Sequence, residues 1–565
     1  MTDIRRTLLW VVFTMSLLLL WDAWQKHTGQ PSMFSPASRT AANGAAAPGS
    51  APGSAPGSVG VPSPVASAAP GAPPAAAVAP AATPTVTVTT DLLKVTLDSR
   101  GGDVVHAELL AQVDQADHNR HVVLFDRSPQ RVYLAQTGLI GAPDLPTHLT
   151  SFKLLPGETT LAPGRDTVEV VLEAPEQGGV RLRKVFSFAR GSYAVKVRHE
   201  VANSSAAPLS PQLYTQLQRD GGSVDAHNVP FAPQSFTGPA LYNEASKFHK
   251  VAFKDIDKGS AGADQHADDG WVAMIQHYFV TAWLHDTKAP RDFYVKRIES
   301  PLHASGVTYT VGMLFPLGEL APGASKTFDS TLYLGPQEEK RLEALAPGFE
   351  LVKDYGWFTI IAKPLFWLLD QLHKLIGNWG WAIVALVVLI KLAFYSLNAS
   401  AYRSMAKMKA INPRVMELRE RMKDKPQQMQ QEMMRIYREE KVNPLGGCLP
   451  ILVQMTVFIA LYWVLLSSVE MRNAPWIGWV HDLSVRDPFF ILPVLMTLSS
   501  LLQTWLSPTP PDPVQAKMMW IMPLVFSGMF FVFPAGLVLY WLTNNILSIA
   551  QQWFINKKLG VLGKK

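Results

Sequence analysis

Hydrophobic positions follow three regimes along the chain. From Leu8 to Trp21 they form one short run; between residues 84 and 335 they alternate; after about residue 355 they gather into long runs. Alternation with a period of two marks a half-buried strand. Val86 and Val88 sit among threonines. Val168, Val170 and Leu172 alternate with Glu169 and its neighbours, and Tyr193, Val195, Val197 and His199 with Ala194, Lys196 and Arg198. Turn signals at Arg100-Gly101-Gly102, Arg190-Gly191 and Pro322-Gly323 divide these stretches. The pattern predicts an antiparallel β-sandwich over 84–335.

The later runs have a different length scale. A helix needs about 20 apolar residues to cross the hydrocarbon core of a bilayer. Spans are predicted at 377–400, 444–469 and 488–506. Met518 to Asn556 holds 39 residues without a charge, too long for one ordinary span, so a tight turn at Pro534-Ala535-Gly536 divides it into 518–533 and 534–556. Residues 336–376 mix charge with an apolar stripe, and Lys363-Pro364 interrupts the run too early for a span, which predicts amphipathic helices lying in the interface.

The run at 1–27, with Arg5-Arg6 before it and Trp21 and Trp24 at its end, has no small-x-small site directly after it. It reads as an uncleaved signal anchor rather than a cleaved leader. The expected total is six spans. Residues 28–83 are mostly Ala, Pro, Gly and Ser, and nothing between Thr40 and Thr90 is charged. Such a segment buries too little apolar surface to offset its ordering entropy and reads as a disordered tether.

Between the spans at 377–400 and 444–469, residues 401–443 read as a helical hairpin. Asn412-Pro413 looks like a cap with proline at the first helical position, and Lys425-Pro426 breaks the chain and restarts it. Met405, Met408, Met429 and Met433 help make the segment methionine-rich, and such surfaces adapt to varied apolar partners.

Charge then orients the runs. The net charge of +6 does not point to nucleic acid, because the basic residues cluster beside the apolar runs, where anionic lipids lie. Arg403–Lys441 carries 11 Lys/Arg against 6 Asp/Glu, and the tail 557–565 adds four lysines. With six spans and the N-terminus inside, both segments and the loop 507–517 fall in the cytoplasm, as the positive-inside rule requires. The loop 470–487 and the sandwich fall outside. Cys448 is the single cysteine, which excludes an intrachain disulfide and a cysteine metal cluster. No Walker A loop, His-Glu-x-x-His or Gly-x-Ser-x-Gly occurs, so neither nucleotide hydrolysis nor peptide cleavage is indicated, and no cofactor is called for.

Candidate chemistry lies inside the spans. Lys391 sits six to nine residues from the cytoplasmic end of its run, roughly 10–13 Å deep. A charge at that depth costs on the order of 2.5–3.5 kcal/mol unless it snorkels or faces a wet cavity. Gln454, Gln503, Asn544 and Asn545 accompany it in other spans. An amide facing lipid is left unsatisfied, so these should converge inside the bundle, either as interhelical glue or as the lining of a groove. Single Ser and Thr residues ordinarily bond their own helix.

Several strings resemble the YidC/Oxa group of insertases: Asn378-Trp379-Gly380-Trp381-Ala382-Ile383 with a basic residue at 391, Tyr402-Arg403-Ser404-Met405-Ala406-Lys407-Met408, Glu440 through Cys448, Pro534-Ala535-Gly536-Leu537-Val538-Leu539-Tyr540, and Gly270-Trp271-Val272-Ala273-Met274. The resemblance covers nearly the whole chain apart from the tether. It implies a non-enzymatic inner-membrane insertase with a periplasmic β-supersandwich, a cytoplasmic helical hairpin and a five-span core. That core holds a hydrophilic groove open to the cytoplasm and lipid. The implied partners are nascent membrane proteins, the Sec translocon and the ribosome. The groove's basic residue falls on Lys391, and substrate contacts fall at Tyr540 and Trp541. Bacterial relatives usually carry arginine at the position of Lys391. The Tyr-Pro-Leu that follows it in the family is Tyr395-Ser396-Leu397 here, so a proline-dependent kink is not expected. The alternative is a secondary transporter using Lys391 as a substrate or proton site, but no internal repeat supports it.

Overall fold

A computed structural model describes residues 83–558 apart from 116, 223–234, 263–264, 301, 423–424, 441–448 and 508–512. The expected anchor, the tether up to residue 82, Cys448 and the tail beyond Lys558 lie outside the described residues. The described residues divide into two compact units, one up to Lys353 and one from Asp354 onward.

In the first unit, period-two alternation becomes two antiparallel nine-stranded sheets. One runs in the order Thr85–Thr89, Leu93–Asp98, Val104–Val113, His121–Ser128, Arg131–Ile140, Gln212–Arg219, Val307–Pro316, Arg291–Glu299 and Gln265–Ala267. The other runs Lys247–Lys250, Gly238–Asn243, Trp271–Ile275, Phe279–Leu284, Ser325–Pro336, Ala194–Asn203, Val180–Ala189, Thr167–Glu173 and Lys153–Leu154. Along Ala194–Asn203 the pattern is literal: Val195, Val197, His199 and Val201 are buried while Lys196 and Arg198 are exposed. Gln212–Arg219 and Val307–Pro316, inside their sheet, are buried almost throughout, so strand residues there do not alternate.

Polar residues also enter this core. Lys184 is fully buried and donates to the carbonyls of Gly101 and Thr137 at 2.5 and 2.9 Å. Gln136 donates to Asp103 at 2.9 Å, Gln216 donates to Gln136 at 2.9 Å, and Tyr294 donates to Gln216 at 2.7 Å. The chain of bonds satisfies groups that would otherwise carry a large desolvation cost.

The second unit is helical: α1 (Thr359–Ile376), α2 (Trp379–Ala393), α3 (Tyr395–Arg421), α4 (Pro426–Glu439), α5 (Leu449–Ser467), α6 (Ile491–Leu506), α7 (Pro513–Phe530) and α8 (Ala535–Lys558). Its core joins Ala362 and Leu369 of α1, Ile383 and Leu386 of α2, Leu461 and Val464 of α5, Leu492 and Met496 of α6, and Leu537 through Tyr540 of α8. The unit is apolar outside as well. Among the described residues, every large hydrophobic side chain left exposed belongs to it except Leu149 and Leu154. Ile360, Leu375, Leu392, Trp505 and Val525 are each more than three-fifths exposed, an extent of apolar surface that water does not tolerate in an isolated domain.

Two local expectations change. Pro413 does not start a helix; α3 continues through it, because the segment before it is already helical and ordinary helix ends are found instead at Phe394 and Met422. The stretch expected as one straight span at 377–400 is broken at Phe394, where ψ is 15° and the axes of α2 and α3 diverge by 65°. No proline is present at this break. The chain turns where the apolar run ends and α3 packs on α8, burying Asn398, Ala399 and Ala401. By length and composition this bent pair is able to cross a membrane, whereas no single described helix is long and apolar enough to do so.

The segment between α5 and α6 folds across one end of the bundle. Val469, Met471, Ala474, Val480 and Leu483 enter the core, and the amides of Ala535 and Gly536 donate to Val485 and Leu483 at 2.7 and 2.9 Å. Gly380 is required by close approach rather than by φ: a Cβ there would collide with the Trp476 ring from this segment.

Candidate functional site: a polar stripe inside the helical bundle

α8 is the spine of the site. Tyr540, Asn544, Ser548 and Gln552 recur at intervals of four in a run without charge, so they share one face. All four are buried. Packing of α8 against α2, α3, α5 and α6 turns polar groups toward each of these neighbours.

On the α2 side, Lys391 Nζ donates to Ser548 Oγ at 2.8 Å. Ser548 Oγ in turn donates to the Asn544 carbonyl at 2.7 Å. On the α3 side, Gln551 Nε2 donates to the Tyr395 carbonyl at 3.4 Å. Among the described residues no carboxylate forms an ion pair with Lys391. The ammonium is therefore held by a neutral hydroxyl in a mostly apolar setting.

On the α5 side, Gln454 Nε2 donates to Tyr540 Oη at 2.6 Å. Trp541 stacks edge-on against Phe458 at 4.6 Å and lies 5.4 Å from Phe530. On the α6 side, Asn545 Nδ2 donates to Ser499 and Ser500 at 3.0 and 2.8 Å, and Gln552 Nε2 donates to the Leu506 carbonyl at 3.1 Å. Two buried acceptors on α8, Asn544 Oδ1 and Gln552 Oε1, have no hydrogen-bond partner among the described residues.

The structure thus brings Lys391 to the same stripe as Asn544 and places Gln454 one partner away through Tyr540. Asn545 faces α6 and bonds there. Gln503 is half-buried and its side chain makes no hydrogen bond to Lys391. Tyr540 is 1% exposed, so its ring is part of the helical core. Most of the hydroxyls behave as single Ser and Thr residues in apolar helices do: Thr497, Thr504, Ser507 and Ser527 each donate to the carbonyl four residues earlier. Met408 on α3 and Met429 and Met433 on α4 are half-buried, and Met405 falls on α3. Arg414 and Glu440 join α3 to the end of α4 at 2.9 Å.

Sequence reasoning did not single out Ser548 as the partner of Lys391. The four-residue spacing of Tyr540, Asn544, Ser548 and Gln552 was the signal available for it.

A bundle with an apolar exterior, a polar interior stripe and an all-β unit defines a membrane-embedded helical protein carrying a folded β domain. Its relatives make the class specific. Residues 85–368 match the family model of the YidC periplasmic domain, and residues 371–561 match that of the 60Kd inner membrane protein. The membrane protein insertase YidC of Cupriavidus necator is 56% identical over 99% of this chain and 98% of its own length. The protein of the same name from Ralstonia nicotianae is 54% identical over 99% of this chain and 98% of its own length. A crystal structure described as an active YidC insertase with the first transmembrane domain resolved is 20% identical, covers 82% of this chain and 91% of that one, and aligns with a TM-score of 0.38. The chain belongs to the YidC family.

Proposed function

We propose that this protein inserts membrane proteins into the inner membrane and helps them fold, alone or with the Sec translocon, by offering a polar path partway into the bilayer. The observation that carries this reading is Lys391 on the polar stripe of α8, held by Ser548 with no carboxylate beside it. The names of the full-length relatives support the same activity.

The physical problem is the polar flank of an incoming span. Each unsatisfied backbone or side-chain group costs several kcal/mol in hydrocarbon. A groove lined by Lys391, Gln454, Gln503, Asn544 and Asn545 shortens the dry part of the route. Asn544 Oδ1, buried and unpartnered among the described residues, is an acceptor available to a passing amide. Lys391 attracts acidic flanks as a point charge, without the planar fork of arginine. The 16 residues of α6 measure about 24 Å, less than the roughly 30 Å core, which favours local thinning of the bilayer. The substrate's apolar segment then partitions into lipid, and that transfer drives the reaction. No covalent step is required.

In this reading six spans place both termini, the α3–α4 hairpin and the basic tail in the cytoplasm, and the β unit and residues 470–487 in the periplasm. The loop folded across the end of the bundle closes the groove on the periplasmic side. The methionines Met405, Met408, Met429 and Met433 give the hairpin an adaptable surface for nascent chains emerging from the ribosome. Substrate contact reaches Trp541 and, through its hydroxyl, Tyr540. The basic residues near the span ends hold anionic lipids.

The test is an insertion assay in proteoliposomes with substrates bearing acidic or neutral flanks. Lys391→Ala is expected to lower insertion of the acidic-flank substrate about tenfold, and Lys391→Arg to retain most of it. Equal insertion of every substrate by Lys391→Ala and wild type rejects the role of the charge.

A further inference from the structure

We propose that Ser548 is a positioning residue for the insertion reaction: its hydroxyl holds the Lys391 ammonium on the groove stripe, and substrate flanks are received in competition with it. This rests on the groove reading above and adds a residue and a substrate preference to it.

The geometry carries the argument. A lysine amine ends a four-carbon stem that reaches toward headgroups whenever nothing holds it inward. Here Nζ is held at 2.8 Å by Ser548 Oγ, which is its one hydrogen-bond partner among the described residues. The serine is itself fixed. Its hydroxyl donates to the Asn544 carbonyl at 2.7 Å, and this donation consumes its proton and turns its lone pairs outward. Ser548 is 3% exposed, so water does not readily replace it as an acceptor. One oxygen therefore links α2 to α8.

The hydroxyl is neutral. It orients the ammonium without cancelling its charge, as a paired Asp or Glu would. A substrate carboxylate is a stronger acceptor than a hydroxyl and displaces it. A neutral flank gains much less. Ser548 therefore contributes most to substrates with acidic flanks, and its contribution vanishes when Lys391 is absent.

The experiment uses full-length protein in proteoliposomes and two substrates that differ only in an acidic or neutral flank. Ser548→Thr and Ser548→Val have nearly the same size and differ in the hydroxyl, so a common packing defect affects both. Ser548→Val is expected to insert the acidic-flank substrate about tenfold more slowly and the neutral one within about twofold of wild type, and Ser548→Thr to restore the acidic-flank rate. Adding Ser548→Val to Lys391→Ala is expected to cause no further loss. Equal losses on both substrates in the valine variant, no rescue by threonine, or additive losses in the double variant overturn the proposal. If Lys391→Ala is impaired on acidic flanks while Ser548→Val is not, the groove reading stands and the positioning role fails. If Lys391→Ala is itself unimpaired, the groove reading fails.

Discussion

The side-chain amide of Gln454 on α5 donates to the hydroxyl of Tyr540 on α8 at 2.6 Å, inside a core where Tyr540 is 1% exposed. Removing that oxygen leaves a donor facing apolar surroundings. Tyr540→Phe is expected to destabilise the helical unit by about 1–3 kcal/mol, and Gln454→Leu added to it to recover part of the loss. Thermal unfolding of the purified protein in detergent measures both. A stable Tyr540→Phe variant that still loses insertion assigns the hydroxyl to substrate contact instead.

Asn545 and Asn544 are adjacent, yet the structure gives them different tasks. Asn545 bridges to Ser499 and Ser500, whereas Asn544 Oδ1 is unpartnered among the described residues. Asn545→Ala is expected to cost about 1–2 kcal/mol of stability, in the range of interhelical hydrogen bonds in membranes. Asn544→Ala is expected to leave stability within about 0.5 kcal/mol while lowering insertion. Detergent melts and insertion rates on the same preparations separate the two effects.

Asp487 caps α6 from the segment that closes one end of the bundle. Its carboxylate accepts from the Trp479 indole at 3.1 Å and from the amides of Phe489 and Leu492 at 3.0 and 2.7 Å, and it is 1% exposed. Asp487→Ala is expected to cost about 2–4 kcal/mol, and Asp487→Asn less, because an amide retains one acceptor. Faster protease cleavage within residues 470–490 of the alanine variant is the accompanying sign of a loosened loop.

The β unit holds two buried groups with opposing pH responses. Burial, with the Lys184 charge adding to it, pushes the His199 pKa down to about 3. Above about pH 6.5 His199 is neutral in both states. Below that the unfolded chain binds a proton that the folded one refuses, so stability falls as pH falls toward 3. Burial pushes Asp103 up to about 7, against the pull of Lys184. Asp103 therefore takes up its proton first in the folded state, and stability rises as pH falls from about 7 to about 4. The two responses oppose each other between about pH 6.5 and 4. Asp103→Asn is expected to unmask a loss of up to about 1.4 kcal/mol per pH unit in that window, and His199→Gln a gain. Urea midpoints followed through the buried Trp271 and Trp283 measure it. Parallel pH profiles for the two variants contradict the assignment.

Much of the architecture is local and therefore legible in the sequence. Strand alternation comes from successive side chains pointing to opposite faces, so Val195, Val197 and Val201 declare themselves without neighbours. The placement of Tyr540, Asn544, Ser548 and Gln552 on one face follows from helical periodicity alone, and Lys391 is conspicuous as a charge in an apolar run. What lies across from those faces is not local. Ser548 is 157 residues from Lys391, and only the packing of α2 on α8 makes it the acceptor. The divergence of Asn544 from Asn545 needs the position of α6. The bend at Phe394 arises where the apolar run ends and α3 packs on α8, and the run of α3 through Pro413 overrides the cap that Asn412-Pro413 suggested. The buried Lys184, Gln136 and Gln216 were likewise invisible. A polar residue is admitted to a core only when partners from distant strands satisfy it, and the linear chain does not name those partners.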